Sequence, residues 1–278
     1  MEQHQTHSKK PVHPLAQASL HEVRTAENSA AFLLPKLHFM KASKPNLTLL
    51  DVGAGSGTIS VSFAKLVPDG HVTGVDVNLN ILPRARVNAD TAGVKNIEFR
   101  EGSVYKLPFA DETFDITFCH QVLIHIGNPW DALCEMLRVT KQGGIVAARE
   151  GDYETNSVWP ELPELGMFHK LMAGLMSAGG GTPTAGRQLL SWALKAGVER
   201  SQITLSYSTT SYNTSSERKT CSQGLCDQLR GGSLREKALK FGLGTESGFE
   251  EMAKAWEEWA NTDDATLAMM NGEILVQT

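Results

Sequence analysis

Short apolar runs alternate with helical periods along the first half of the chain. The runs Leu47–Val52, His71–Val77, Ile97–Arg100, Phe114–Cys119 and Ile145–Ala148 predict five strands. Between most of them, apolar residues recur at spacings of three and four, and these segments are bounded by Gly or Pro, which predicts intervening helices. Regular alternation of strand and helix is typical of a parallel sheet with right-handed crossovers. The pattern therefore predicts an α/β fold.

The second half of the chain is less regular. Residues 203–212 alternate and are rich in Ser, Thr and Tyr, which predicts a strand. A helical stretch follows, and its last helix is predicted to begin at Ser247, which forms a capping box with Glu250. A short final strand is predicted at Ile274–Val276. These assignments place a helical insertion, about residues 213–272, directly before the last strand.

Composition excludes several classes of protein. With 278 residues, 41% hydrophobic and 21% charged, the chain is long enough and apolar enough for a sizeable core. A net charge of −5 provides no basic surface for nucleic acid. Four scattered cysteines do not form a disulfide framework, and neither an 18-residue apolar run nor a signal-peptide pattern is found. We therefore expect a cytoplasmic protein, monomeric or weakly dimeric, with no membrane span and no nucleic-acid partner.

A glycine-rich loop follows the first predicted strand and precedes a helix. Its sequence is Asp51-Val52-Gly53-Ala54-Gly55-Ser56-Gly57. Three alternate glycines allow a tight turn and close approach of the backbone to a ligand. The loop is neither a dinucleotide fingerprint nor a phosphate-binding P-loop, because the last glycine of G-x-G-x-x-G and the Gly-Lys-Ser/Thr ending are missing. Asp76 ends the second strand, where a carboxylate can bind both hydroxyls of a ribose.

Several segments in this order resemble the class I S-adenosylmethionine-dependent methyltransferases, most closely the UbiE/COQ5-like small-molecule branch. Besides the glycine loop, the resemblance is carried by Gly74-Val75-Asp76-Val77, Gly102-Ser103, Phe114-Asp115 and Leu137-Arg138-Val139 before Gly143-Gly144. It covers roughly residues 24–200. It implies a Rossmann-like fold, with a seven-stranded, mostly parallel sheet whose last strand is antiparallel.

The resemblance also implies an organisation of the chain. Residues 1–14 would be a mobile tail, and residues 15–278 a single methyltransferase domain. Within it, residues 15–45 would form helices of an N-terminal lid, residues 46–150 the cofactor-binding half, and residues 151–278 the substrate-side half. The cofactor would be S-adenosyl-L-methionine, with S-adenosyl-L-homocysteine as the product.

Carried over residue by residue, the family's cofactor contacts fall on thirteen positions. They are Arg24, Thr25, Asp51, Gly53, Ala54, Gly55, Asp76, Val77, Gly102, Ser103, Val104, His120 and Gln121. Ser103 departs from the family pattern, which commonly has an Asp that accepts from the adenine amino group. Because a hydroxyl is a weaker acceptor than a carboxylate, we expect an altered adenine contact.

Candidate catalytic and substrate residues follow the fourth and fifth strands, where ligands of open α/β sheets bind. His120 and His125 are candidates for positioning the acceptor or for removing its proton. Asp152, Tyr153 and Trp159 come after the fifth strand, and His169, Met172 and Arg187 lie further along the chain. For Trp159, His169 and Met172 a place in the core is the alternative, and for Arg187 a surface salt bridge.

The sequence leaves the methyl acceptor open. We expect a small, largely apolar molecule, because the net charge disfavours nucleic acid. The segment from Glu150 to Tyr153 and the helical insertion are similar to fungal proteins of secondary metabolism in this branch, some of which methylate gliotoxin-type dithiols. S-methylation of a thiol or dithiol is therefore the leading hypothesis. C- or O-methylation of a quinone or polyketide, and a catalytically silent cofactor-binding protein, are the alternatives. We expect no metal, since Cys221 and Cys226 lack the spacing of a metal site.

Overall fold

The computed structural model of the protein describes residues 22–278, so the predicted tail and the beginning of the predicted lid lie outside the described residues. The helices are α1 (Ala26–Ser29), α2 (Leu34–Ser43), α3 (Thr58–Leu66), α4 (Leu82–Thr91), α5 (Pro129–Val139), α6 (Pro163–Ala178), α7 (Ala185–Lys195), α8 (Ser215–Gly231), α9 (Ser233–Lys240) and α10 (Glu246–Asn261). The strands are β1 (Thr48–Val52), β2 (His71–Asp76), β3 (Ile97–Glu101), β4 (Phe114–His120), β5 (Thr140–Gly151), β6 (Ser157–Trp159), β7 (Ile203–Tyr212) and β8 (Thr266–Gln277).

The strands form one mixed sheet. The parallel part has the order β3-β2-β1-β4-β5, and β8 is antiparallel to β5, β6 and β7. The predicted Rossmann-like sheet with an antiparallel last strand is thereby confirmed. The sheet has eight strands instead of seven, because the short β6 pairs with the first residues of β8. The strand order reverses between β1 and β4, because β2 and β3 lie on one side of β1 and β5 lies on the other side of β4. The carboxyl ends of β1 and β4 therefore border a crevice.

The last strand is longer than the sequence pattern predicts. It begins at Thr266, eight residues before Ile274, so the prediction that the helical insertion extends to about residue 272 is wrong. The insertion's last helix ends at Asn261. Asn271 and Glu273 interrupt the apolar alternation, yet both are buried and hydrogen-bonded to polar groups of the neighbouring strand β7. Because these buried residues are polar, the apolar alternation in the sequence did not predict this part of the strand.

Within the described residues, the segment predicted as lid helices, residues 15–45, contains α1 and α2, which are separated by a turn at Ala31–Leu33. The start of one other helix needs correction. The helix expected to begin at Ser247 begins at Glu246, and its cap is Thr245, whose side chain accepts from the Gly248 N–H at 3.2 Å. Thr245 provides the same capping chemistry two residues earlier.

Apolar clusters cover both faces of the sheet. On one face, strand residues such as Leu50 and Val146 pack with α5 and α7. On the other, Leu49 and Phe118 pack with α2 and α3. A third cluster joins α6, α8 and α10 around Trp256 and Trp259, so the insertion has its own apolar centre beside the substrate-side edge. Among residues 22–278, no helix is both long and apolar enough to cross a bilayer.

Candidate active site

The glycine loop folds back onto the second strand. The N–H groups of Gly53 and Ala54 both donate to the Val75 carbonyl, at 2.8 and 2.9 Å. Gly53, Gly55 and Gly57 have φ values of +75°, +55° and +76°, a region in which residues with a Cβ are strained. Three glycines are therefore needed for the backbone path itself.

The surroundings of the three glycines differ. A β-carbon at Gly57 would lie 2.6 Å from the Phe99 ring, and one at Gly53 would overlap the Val122 Cγ2 methyl group. A β-carbon at Gly55 would meet no atom within 4 Å. The loop therefore packs tightly at both ends and faces open space in its middle, as a backbone cradle for a ligand requires.

Asp76 lies at the edge of this open space. Its Oδ2 accepts from the Gly55 N–H at 2.9 Å, and its Oδ1 accepts from the Asn78 N–H at 2.8 Å. The carboxylate is half-buried, and the next residue, Val77, is 67% exposed. An oriented carboxylate followed by an exposed apolar side chain fits a ribose and an adenine, so this part of the chain fits the nucleoside of the expected cofactor.

Three further predicted residues follow the end of β3, next to Asp76 on the neighbouring strand. The Gly102 N–H donates to the Asp76 carbonyl at 3.1 Å. The Ser103 hydroxyl oxygen accepts from the Tyr105 N–H at 3.3 Å, and Val104 is buried. The Ser103 O–H hydrogen can still be donated, whereas the aspartate usual at this position only accepts. We expect a donor to a ring nitrogen here instead of an acceptor for the amino group.

Asp51 lies near the end of β1, directly before the glycines of the loop. Its carboxylate is buried and accepts from the Ser60 hydroxyl at 2.5 Å, which joins the end of β1 to α3. Burial raises the pKa of Asp51 to about 7, and the negative charge of Asp76 acts in the same direction. Asp51 therefore connects the strand before the loop to the helix after it, while Asp76 borders the open space.

This pKa predicts a pH effect on stability. Between about pH 4 and pH 7 the folded state holds a proton on Asp51 that the unfolded state has lost, so this residue's contribution to the free energy of unfolding falls as the pH rises. We expect the wild-type value minus that of Asp51→Asn to fall over this range and to level off above it. Urea unfolding from pH 4 to pH 9 measures this difference, and a constant difference would contradict the assignment.

The segment after β4 is held by Glu150, which was not among the predicted site residues. Gln121 has φ +57°, and Leu123–His125 form a 3-10 turn. The fully buried Glu150 carboxylate accepts from the N–H groups of Val122 and Leu123, both at 2.9 Å, and of Ile124 at 3.2 Å. Burial raises the pKa of Glu150 to about 7, although these hydrogen bonds oppose the shift. In the sequence, the feature that could have identified Glu150 is a carboxylate at the end of an otherwise apolar strand.

A buried polar row crosses four strands next to this segment. His120, Arg149, Glu273 and Ser206 are in register on β4, β5, β8 and β7. Arg149 Nη1 donates to His120 Nε2 at 2.8 Å, and Arg149 Nε donates to Glu273 Oε1 at 3.2 Å. Ser206 donates to the second oxygen of Glu273 at 3.0 Å. Since a guanidinium only donates, His120 Nε2 is the acceptor of this hydrogen bond.

Arg24 lies among the groups at the ends of β5 and β7. Burial lowers the pKa of its guanidinium, while the neighbouring Tyr153, Tyr212 and Glu150 raise it. Burial also raises the pKa of Tyr153, and it raises that of Tyr212 to about 12. Arg24 thus places a positive charge beside two neutral phenols on the substrate side. Its neighbour Thr25 is the N-cap residue of α1.

Other predicted site residues have different surroundings. His125 is exposed. Asp152 is fully buried and forms an ion pair with Arg187, whose Nη2 donates to Asp152 Oδ1 at 2.8 Å and whose Nη1 donates to Glu154 at 3.2 Å. The salt-bridge alternative therefore describes Arg187, since its guanidinium is bound to two carboxylates.

The remaining predicted substrate residues are Trp159, His169 and Met172. Trp159 is 53% exposed on β6, where its indole N–H donates to Asp264 at 3.0 Å, so it does not form the wall of a pocket in this conformation. His169 stacks edge-on with Trp256 at a centroid distance of 6.2 Å, and burial lowers its pKa. Met172 is partly buried between the clusters of the sheet and of the insertion. Met172 therefore packs against both the sheet and the helical insertion.

Comparison with known sequences identifies relatives over nearly the whole chain. A family model described as a methyltransferase domain matches residues 43–180. An uncharacterized methyltransferase of Schizosaccharomyces pombe is 34% identical over 271 residues, which is 93% of this chain and 92% of that protein. The "probable methyltransferase ltbC" of Aspergillus luteorubrus is 32% identical over 269 residues, 91% of each chain. The ubiquinone/menaquinone biosynthesis C-methyltransferase UbiE of Bdellovibrio bacteriovorus is 35% identical over 115 residues, 41% of this chain and 48% of its own.

Solved structures share the fold at lower identity. The YcgJ protein of Bacillus subtilis matches with a TM-score of 0.52 and 19% identity, over 87% of this chain and 97% of its own. Phosphoethanolamine N-methyltransferase 2 of Haemonchus contortus, solved with phosphomonomethylethanolamine and S-adenosylhomocysteine, also has a TM-score of 0.52, with 16% identity over 87% of this chain and 52% of its own.

Proposed function

Since this chain belongs to the S-adenosylmethionine-dependent methyltransferases, we propose that it methylates the sulfur of a small, largely apolar thiol or dithiol. When bound, the cofactor supplies an electrophilic methyl group. A dithiol secondary metabolite similar to gliotoxin is the acceptor that we favour. Asp76 and Val77 would hold the nucleoside, and Gly53 and Gly55 would approach the methionine part with their backbone. The acceptor would approach from the ends of β4, β5 and β7.

The observation that carries this proposal is that the best-placed basic groups near the site are already bound. His120 Nε2 accepts from Arg149 at 2.8 Å, so it cannot take a proton without breaking that hydrogen bond. Glu150 is bound to three amides, and Asp152 to Arg187. A thiol needs a base less than a phenol does, because its pKa of about 8.5 leaves some thiolate at neutral pH.

The guanidinium of Arg24 supports an anionic acceptor. It interacts with Tyr153 and Tyr212 on the substrate side, whereas the guanidinium of Arg149 is already paired with Glu273. An unprotonated thiol placed near Arg24 is stabilised by charge and reacts once it is in line with the methyl group. His120 would then position the acceptor, and the N-terminal segment that contains Arg24 would close over it and exclude water. We place this reaction in the cytoplasm, in a monomer or weak dimer.

Replacing His120 by alanine tests the thiol assignment. We expect turnover of a thiol panel to fall about tenfold through misplacement, with little recovery as the pH rises, because no proton transfer has been removed. The pH–rate profile with radiolabelled cofactor measures this, and His71→Ala, at the opposite end of the sheet, is the control. A steep recovery toward high pH would assign His120 as a base and overturn the proposal.

C-methylation of a quinone is a second candidate. Its support is the UbiE relative, which is named for C-methylation in ubiquinone and menaquinone biosynthesis and whose match covers 41% of this chain. The same assay with hydroquinone acceptors distinguishes the two. Methyl transfer to a hydroquinone carbon without transfer to any thiol would favour this candidate.

A further inference from the structure

The residues that follow β4 form a bridge between the glycine loop and the substrate side. This segment, residues 121–125, is anchored from three directions. Val122 packs so closely on Gly53 that no β-carbon fits there, the Ile124 carbonyl accepts from the Thr182 N–H at 2.8 Å, and Glu150 binds three consecutive amides from below. A shift of the segment would therefore change the glycine loop and the acceptor side together.

We propose that Glu150 is a positioning residue for methyl transfer, which holds Val122 against Gly53 through the backbone amides of residues 122–124. Gly53 belongs to the loop that would carry the methionine part of the cofactor, so Val122 forms a wall where cofactor and acceptor meet. The inference rests on the cofactor site and does not require the acceptor to be a thiol.

The chemistry of the three amides requires a carboxylate. Each backbone N–H is a donor, and the two oxygens of Glu150 supply acceptors to all three. A glutamine at this position could accept with its oxygen from Val122 and Leu123, but its NH₂ group would face the Ile124 N–H, and two donors cannot bond. Burying an ionised carboxylate is costly, so the presence of Glu150 in the core is consistent with a geometric task.

Glu150→Gln is the first test, with S-adenosylhomocysteine as the probe. We expect calorimetry to show about tenfold weaker binding, faster hydrogen exchange at the amides of residues 122–124, and a lower kcat with any acceptor that is found. Asp115→Asn is the matched control. Asp115 is also a buried carboxylate and accepts from the Thr48 N–H at 2.9 Å, but it lies at the opposite end of β4. It should lower stability and leave affinity unchanged. Affinity of folded Glu150→Gln within twofold of wild type would overturn the proposal.

A double-mutant cycle distinguishes positioning from general loss of structure. Val122→Ala removes the methyl groups that meet Gly53 and leaves the Glu150 carboxylate in place. We expect it to weaken S-adenosylhomocysteine binding about fivefold, and the double variant to be hardly weaker than Glu150→Gln, because both act through one contact. Additive effects would overturn the proposal, as would unchanged affinity of Val122→Ala, which can be measured even if Glu150→Gln does not fold. A failure of the thiol proposal would leave these binding results untouched.

Discussion

Replacing Asp76 by alanine should weaken the binding of S-adenosylhomocysteine by about 30-fold or more. Asp76 is a half-buried carboxylate at the rim of the glycine loop, and both of its oxygens are oriented by backbone N–H groups, of Gly55 and Asn78. A ribose can donate two hydroxyl groups to such a carboxylate, and losing these charge-assisted hydrogen bonds costs roughly 2 kcal/mol, which corresponds to that factor.

Calorimetry on the folded variant measures this loss. Asp76→Asn should be intermediate, because an amide keeps one oxygen acceptor and loses the charge. Asp69→Ala is the control, since Asp69 is exposed in the turn before β2, at the other end of that strand. Unchanged affinity of Asp76→Ala, or binding of NAD without any response to S-adenosylhomocysteine, would contradict the assignment of the nucleoside site.

Gly57→Ala should destabilise the fold by about 3 kcal/mol or more. The new β-carbon would be strained at φ +76°, and it would lie 2.6 Å from the Phe99 ring and 2.9 Å from the Ala85 β-carbon, all in a buried cluster. Left-handed backbone alone costs a residue with a side chain roughly 1–2 kcal/mol, and overpacking adds 1–3 kcal/mol.

Gly93→Ala separates these two effects. Gly93 has φ +68°, but a β-carbon there meets nothing within 4 Å, so we expect only the conformational cost, about 1–2 kcal/mol. Urea unfolding of both variants measures the difference in the free energy of unfolding. Equal losses would show that Phe99 and Ala85 move aside and that the close packing of α4 and β3 on the loop is not rigid.

The parallel half of the sheet and the glycine loop with Asp76 could be predicted from the amino-acid sequence alone. Strand β1, the glycine loop and Asp76 depend on local rules: an apolar run of limited length, glycines where φ must be positive, and a carboxylate at a strand end. Each of these rules involves residues within about 25 positions of one another, so the sequence pattern is sufficient to predict these features. Pairing of β1 with β2 then brings Asp76 to Gly55 whatever the rest of the chain does.

The arrangement of the substrate side depends on tertiary contacts and could not be predicted from the sequence. Glu150, Asn271 and Glu273 are polar residues in strands, and their partners lie up to 150 positions away, as with Gln121 and Asn271. A period-two pattern cannot recognise a buried charge that is matched by Arg149 or by backbone amides, so the sequence placed the last strand too late and left Glu150 out of the site. Because such partners are distant in the sequence, Arg187 was equally compatible with substrate binding and with a surface salt bridge. Its pairing with the fully buried Asp152 decided between the two, because burial of an unpaired carboxylate would cost more than the pair.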